Sequence, residues 1–470
     1  MLKQSALNPD AVLAFESQLQ GKLIRPGDAD YDDARRVWNG VIDRYPALIA
    51  RCANVNDVVA SVNFARENGL TVAVRGGGHN VAGHATVDGG LVIDLSPMKR
   101  IEVYPQTRIA TVQGGATWGE VDAATQVYGL AVPGGVVSDT GIAGLTLGGG
   151  FGWLRNKYGL SCDNLLTAEV VTADGHVIYA SETENRELLW GLRGGGGNFG
   201  IVTTFEYRLH PVGQEVMFVF ALHNAEGDRM KKAIQLYRDY VATAPDEVST
   251  LAAIGVVPPA EHFPADIQGK PYVLLGAMYA GDPEQGKPIL QPLLDFGVPL
   301  FDISGVMPYV EAQKVFDADY PRGHRYYWKS INLSRLDDDV IDRIVEHARQ
   351  QPSPHSTTDL WHIGGAVARV SKDHSAFFGR QAAFLLNPEA NWEHPEDDEI
   401  NIAWARNFVE AMQPFSDGSR YLNFAGFQEE GSAMMQSAFG DQYARLVALK
   451  NRYDPTNFFR MNQNIEPTAR

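Results

Sequence analysis

Glycine constrains this chain more than any other residue, because of where it sits. Of 47 glycines, 27 lie between Thr71 and Gly213, gathered at residues 76–78, 114–115, 134–135, 141–152 and 194–200. Such clusters cannot extend a helix or a packed strand. They supply turns and let a ligand or another backbone approach closely. Between them lie short apolar segments of strand composition, at residues 71–74, 91–95, 109–112, 168–172 and 177–179. The last two flank Ala173-Asp174-Gly175, a hairpin signal. One predicted helix puts Val55, Val58, Val59, Val62 and Ala65 on a single face, with Asn56 as its cap and Gly69 as its stop. A second is predicted over residues 117–128, ending at Gly129. The pattern is α+β, with glycine loops brought to one place.

Val74-Arg75-Gly76-Gly77-Gly78-His79-Asn80 is the most informative of these loops. Three glycines in a row let amide N–H groups converge on a phosphate or pyrophosphate. Arg75 and His79 add a fixed cation and a nucleophilic imidazole. The loop lacks the lysine of a Walker A sequence and the spacing of a Rossmann turn, so it is a nucleotide cradle of another kind.

Bulk properties narrow the partners. With 470 residues the chain has room for two or three domains, at roughly 100–200 residues each. A net charge of −17 repels nucleic acid and anionic membranes, which favours a small-molecule ligand. Two cysteines, Cys52 and Cys162, support neither a disulfide scaffold nor a cysteine-based metal site, and both are expected to be buried thiols. Residues 1–19 do not have the pattern of a secretory signal, and no run approaches the ~18 apolar residues of a membrane span. A cytoplasmic protein, monomer or homodimer, with no metal is the expectation.

After Leu209-His210-Pro211 the glycine clusters thin out. Strand-like segments at residues 216–222, 272–279, 325–331 and 359–370 alternate with amphipathic helices at 230–243 and 338–349, which predicts an antiparallel sheet flanked by helices. Three units follow: residues 1–213, a second domain at 214–420, and a tail at 421–470 that returns to the first.

Taken together, Leu48-Ile49-Ala50-Arg51-Cys52, the triple-glycine loop, residues 141–150, Lys157-Tyr158-Gly159-Leu160, Asn198-Phe199-Gly200-Ile201-Val202 and the stretch from Tyr453-Asp454-Pro455 to Asn464-Ile465 resemble one family. It is the FAD-linked oxidases of the vanillyl-alcohol oxidase superfamily, in the berberine-bridge-enzyme-like branch, with bacterial 6-hydroxy-D-nicotine oxidase-like members the nearest in form. The resemblance implies a PCMH-type FAD-binding domain of two α/β subdomains, followed by a substrate domain. It also implies FAD bonded covalently to His79, with His84 a local structural residue. Some members carry a second tether on a cysteine; here Val137 stands at that position, so one bond is expected.

The same resemblance implies that Arg75, Gly76, Gly77, Gly78, Asn80, Gly114, Ser138, Asp139, Gly141, Gly144, Thr146, Gly148, Ile201, Val202, Asn462 and Asn464 surround the cofactor. The implied activity is removal of a hydride from a C–H bond of a small alcohol, sugar or amine, with O2 reoxidising the flavin to give H2O2. A flavin-binding homologue without activity, or a dehydrogenase using another acceptor, is the alternative. Two candidates stand for the base. Tyr421, in Tyr421-Leu422-Asn423, would need a nearby cation such as Lys329, since a phenol ordinarily ionises near ~10; Asn423 would hold flavin or substrate. His374, six residues before Arg380 and beside Asp373, needs no such help. Tyr327 and Lys329 alternate along one predicted strand and so share a face. With Trp361 and Phe377 they are the expected substrate contacts.

Overall fold

A computed structural model describes residues 7–468 apart from 262, 417 and 430; residues 1–6 of the N-terminal stretch lie outside the described residues. Its first sheet sets Leu48–Arg51, Leu91–Asp94 and Val72–Arg75 parallel, with Lys22–Ile24 antiparallel at the edge. Leu91–Asp94 is buried throughout, as expected of a central parallel strand covered on both faces. The helix Val55–Glu67 covers one of them, packing Val58, Val62 and Ala65 on Leu48, Val72 and Leu91. Its cap is Asn54, not Asn56. Asn54 is extended, and its side chain accepts from the backbone N–H groups of Asn56 and Asp57, which are already inside the helix.

The second sheet is antiparallel, in the order Ile101–Tyr104, Ile109–Gln113, Ile201–Arg208, Leu165–Val171, Val177–Ala180. The helix Trp118–Gln126 beside it starts on a capping box between Thr117 and Glu120. Into the same core come Met435, Leu446, Leu449 and Ile465 from the last fifty residues of the chain. A buried ion pair secures that tail. Lys450 Nζ meets Asp454 Oδ2 at 2.7 Å, and the Asp454 carboxylate accepts from the N–H groups of Phe458 and Phe459.

The third sheet has nine strands, all drawn from residues 215–392, including Glu215–Asn224, Pro271–Tyr279, Val248–Val256, Thr357–His362, Phe384–Trp392 and Arg325–Trp328. Strand alternation gives it two apolar faces. Val219, Ala221, Leu275, Leu360 and Leu386 pack against the helices Arg229–Val241, Asp338–Ala348 and Asp398–Met412. Phe218, Leu251, Leu274, Trp361 and Leu385 face Phe151, Trp153 and Leu160 of the glycine-rich half. The fold is α+β. Two predicted strands needed correction. The segment 359–370 is a strand only to His362, because Gly364 and a left-handed Gly365 (φ +54°) turn the chain into the helix Gly365–Arg369. The segment 325–331 breaks after Trp328 and resumes at Ile331–Leu333.

Candidate active site

The glycine loops meet the inner face of the nine-stranded sheet around one cleft, about 1940 Å³ of empty space counting its open mouth. Close approach explains the glycines. A Cβ on Gly77 would lie 2.3 Å from Gly141 N, and one on Gly141 would lie 2.3 Å from Gly77 N. The two loops therefore touch backbone to backbone, and both line the cleft. Gly76, Gly78, His79, Asn80, Gly144, Gly148, Ile201, Val202 and Asn462 line it too.

Other residues expected around a cofactor sit one layer out. Arg75 is buried behind the turn, where it donates to the carbonyls of Ala85 and Ala34 and shapes the loop. Gly114 backs onto Val202, and Thr146 shares a 2.7 Å hydrogen bond with Tyr207 in the core. Ser138 donates to Asp317, while Asp139 contacts His79. Asn464 is outside the lining, although its buried side-chain oxygen has no hydrogen-bond partner among the described residues.

His79 stands at one end of the cleft. Its ring stacks on Trp38, with centroids 4.9 Å apart and planes 19° off parallel. Burial pulls its pKa down, which favours the neutral imidazole. Burial also holds His84 neutral, down to about 4. At the other side Tyr421 is fully buried, and its oxygen receives N–H groups from Gly150 (3.0 Å) and Asn423 (2.8 Å). Burial pushes this phenol up to about 12. Lys329 supplies no cation here, since its Nζ pairs with Glu429 at 2.7 Å.

Strand parity decides which second-domain residues reach the cleft. Tyr327 turns to the helix side, where its hydroxyl donates to Glu429 and receives Arg406. Its neighbour Trp328 points inward and lies across from Glu389. Trp361 lines the cleft as expected, and Phe377 stands behind it against Phe151 and Tyr421. His374 is elsewhere, between Arg193 and the carbonyl of Asp163, and Asp373 is on the surface.

Sequence reasoning missed Trp38, Phe316, Tyr320, Asp359 and Glu389, all of which line the cleft. Asp359 and Glu389 are diagonal neighbours on paired strands, Asp359 lying opposite Asn387. Glu389 accepts from Tyr320 at 2.7 Å and from Asn387. Asp359 Oδ1 is buried and has no hydrogen-bond partner among the described residues. Burial, with Asp319 nearby, lifts Asp359 to about 7, and burial beside Asp359 lifts Glu389 well above the carboxylate range. Among the described residues, no lysine or arginine lines the cleft and no group of acids, histidines or cysteines could hold a metal.

The glycine walls suit an elongated nucleotide, and the buried Asn462 Oδ1 has no hydrogen-bond partner among the described residues, so the residues present fit FAD. The comparisons agree. Residues 46–181 match the family described as FAD binding domain, and residues 420–466 match that described as berberine and berberine like. An FAD-linked oxidoreductase of Dictyostelium discoideum is 32% identical, with 96% of each chain covered. (R)-6-hydroxynicotine oxidase of Paenarthrobacter nicotinovorans is 30% identical over 97% of this chain and 98% of its own. The crystal structure of 6-hydroxy-D-nicotine oxidase from Arthrobacter nicotinovorans superposes with a TM-score of 0.84 at 29% identity, covering 95% of this chain and 98% of that one. The chain belongs to the FAD-linked oxidoreductases, in the branch with a berberine-like C-terminal segment.

Proposed function

We propose that this chain is an oxidase that holds FAD by a single covalent bond at His79 and oxidises a small alcohol, sugar or amine. When bound, FAD accepts a hydride from the substrate carbon and passes two electrons to O2, giving H2O2. The loops at Gly76–Gly78, Gly141, Gly144 and Gly148, with Ile201, Val202 and Asn462, would hold it. Val137 offers no second attachment point.

The carrying observation is that a neutral His79, a buried Tyr421 and an unpartnered Asp359 oxygen all open on one cleft. Asp359 takes the proton of the substrate O–H or N–H at Oδ1. Its pKa of about 7 matches a general base working near neutrality. Tyr421, with its pKa pushed by burial to about 12, stays protonated. Two N–H groups already occupy its oxygen, so its own O–H is free to orient the substrate. Trp328, Trp361, Tyr320 and Phe316 give the recess an apolar, water-excluding wall.

The test is an anaerobic titration with secondary alcohols, sugars and cyclic amines. Bleaching of the flavin by at least one of them, then H2O2 on admitting air, is the expected result. A yellow protein that no member of the panel bleaches would overturn the reading.

A further inference from the structure

One contact at the histidine end has no part in substrate oxidation. Asp139 Oδ1 lies 2.6 Å from His79 Nε2, close enough for the carboxylate to act on any proton that nitrogen carries. The other oxygen of Asp139 accepts from Arg322 Nε at 3.0 Å, and Arg322 Nη2 donates to the carbonyl of Gly77 at 3.0 Å. Arg322 belongs to a strap that crosses from the nine-stranded sheet to the glycine loops. On this strap Asp317 receives the N–H and hydroxyl of Ser138, and the Tyr320 carbonyl receives the Trp38 indole N–H. The opposite ring nitrogen, Nδ1, is 3.5 Å from Thr140 Oγ1.

We propose that Asp139, gripped by Arg322, is a positioning residue for covalent flavin attachment: it orients His79 and stabilises the positive charge that its ring acquires during bonding. The inference rests on the attachment proposed above. In that step Nδ1 forms a bond to a methyl carbon of the flavin. One methyl C–H and the imidazole N–H give up their protons, and the two electrons released reduce the flavin ring. O2 then accepts those electrons with two protons and leaves as H2O2. Between bond formation and loss of the Nε2 proton the imidazole is cationic, and the nearest anion is Asp139. Arg322 keeps that anion in place, so attachment depends on the strap being docked.

The test compares wild type, H79A, D139N, D139E and R322M, each purified whole. The readouts are the fraction of flavin that stays with acid-precipitated protein and its growth during incubation with FAD in air. Wild type should retain its flavin, and H79A should bind FAD that acid releases completely. D139N should bind FAD yet attach it at least about tenfold more slowly, as for loss of a charge aimed at a developing opposite charge. D139E should restore most of the rate, which a merely structural role would not do. R322M should fall between the two and decides the matter where D139N is unstable. Attachment by D139N or R322M as fast as wild type overturns the inference while leaving the covalent bond intact. Release of all flavin from acid-precipitated wild type overturns the covalent reading itself, and the inference with it.

Discussion

Asn423 Nδ2 donates to the Tyr421 hydroxyl at 2.8 Å while also donating to the Leu145 carbonyl at 3.0 Å. One amide thereby ties the tail to the glycine-rich helix segment and aims a phenol into the cleft. Tyr421→Phe keeps the ring but removes the O–H and the acceptor of the Gly150 and Asn423 N–H groups. Steady-state kinetics should show kcat/KM lower by roughly 10²-fold with flavin content unchanged, the scale of losing one preorganised donor. Full activity in this variant would remove Tyr421 from the chemistry.

As the proposed base, Asp359 should set the pH dependence. With its pKa raised to about 7, the carboxylate form needed for proton abstraction appears only as pH rises through that value. The rate should therefore climb from pH 5 to a plateau above about 7. Asp359→Asn should abolish that limb and lower kcat by roughly 10²-fold or more. Stability carries the opposite sign. The folded state retains a proton that the unfolded chain releases near ~4, so this group weakens the fold as pH rises from there to about 7 and no further.

Strand parity predicts a contrast between neighbours. Trp328→Ala opens the cleft wall and should change KM for the best substrate by tenfold or more, in the range of a deleted pocket contact (about 1–3 kcal/mol). Tyr327→Phe acts on the helix side, where the lost hydroxyl leaves Glu429 and Arg406 without a shared partner. It should lower Tm with KM unchanged, by about 1–3 kcal/mol of stability. Calorimetry and kinetics on the pair separate the two effects.

Gly77→Ala places a methyl group 2.3 Å from the Gly141 nitrogen, and no flexible side chain can move aside. The loops must part. The expected cost is about 2–4 kcal/mol, visible as a lower Tm and a reduced flavin-to-protein absorbance ratio.

Lys450→Met strands the buried Asp454 carboxylate. Breaking such a pair costs about 3–5 kcal/mol. Thermal denaturation should report a large fall in Tm, because that carboxylate also organises the Phe458–Phe459 turn.

The sequence exposed those parts of the site that are local. The triple-glycine loop with His79, the run from Gly141 to Gly148 and the Tyr421–Asn423 pair are each contiguous; glycine spacing points to a nucleotide cradle, and the family resemblance supplies the roles. What it hid depends on register. Tyr327 and Trp328 differ by one position, and only the pairing of Arg325–Trp328 with Phe384–Trp392 says which of them faces inward. Asp359 and Glu389 become a pair because two strands thirty residues apart run side by side. The strands Val248–Val256 and Phe384–Trp392 were not picked out, since a strand buried on both faces has no alternation to find. Arg75 illustrates the converse, a conspicuous cation beside the loop whose hydrogen bonds all go to the protein's own carbonyls.

The cleft draws Trp38 and His79 from one end of the chain and Asn462 and Gln463 from the other. A nascent polypeptide whose last segment is still inside the ribosome has this pocket with one side missing. Firm retention of the flavin is therefore expected only once the segment carrying Asn462 and Gln463 has folded against the glycine loops.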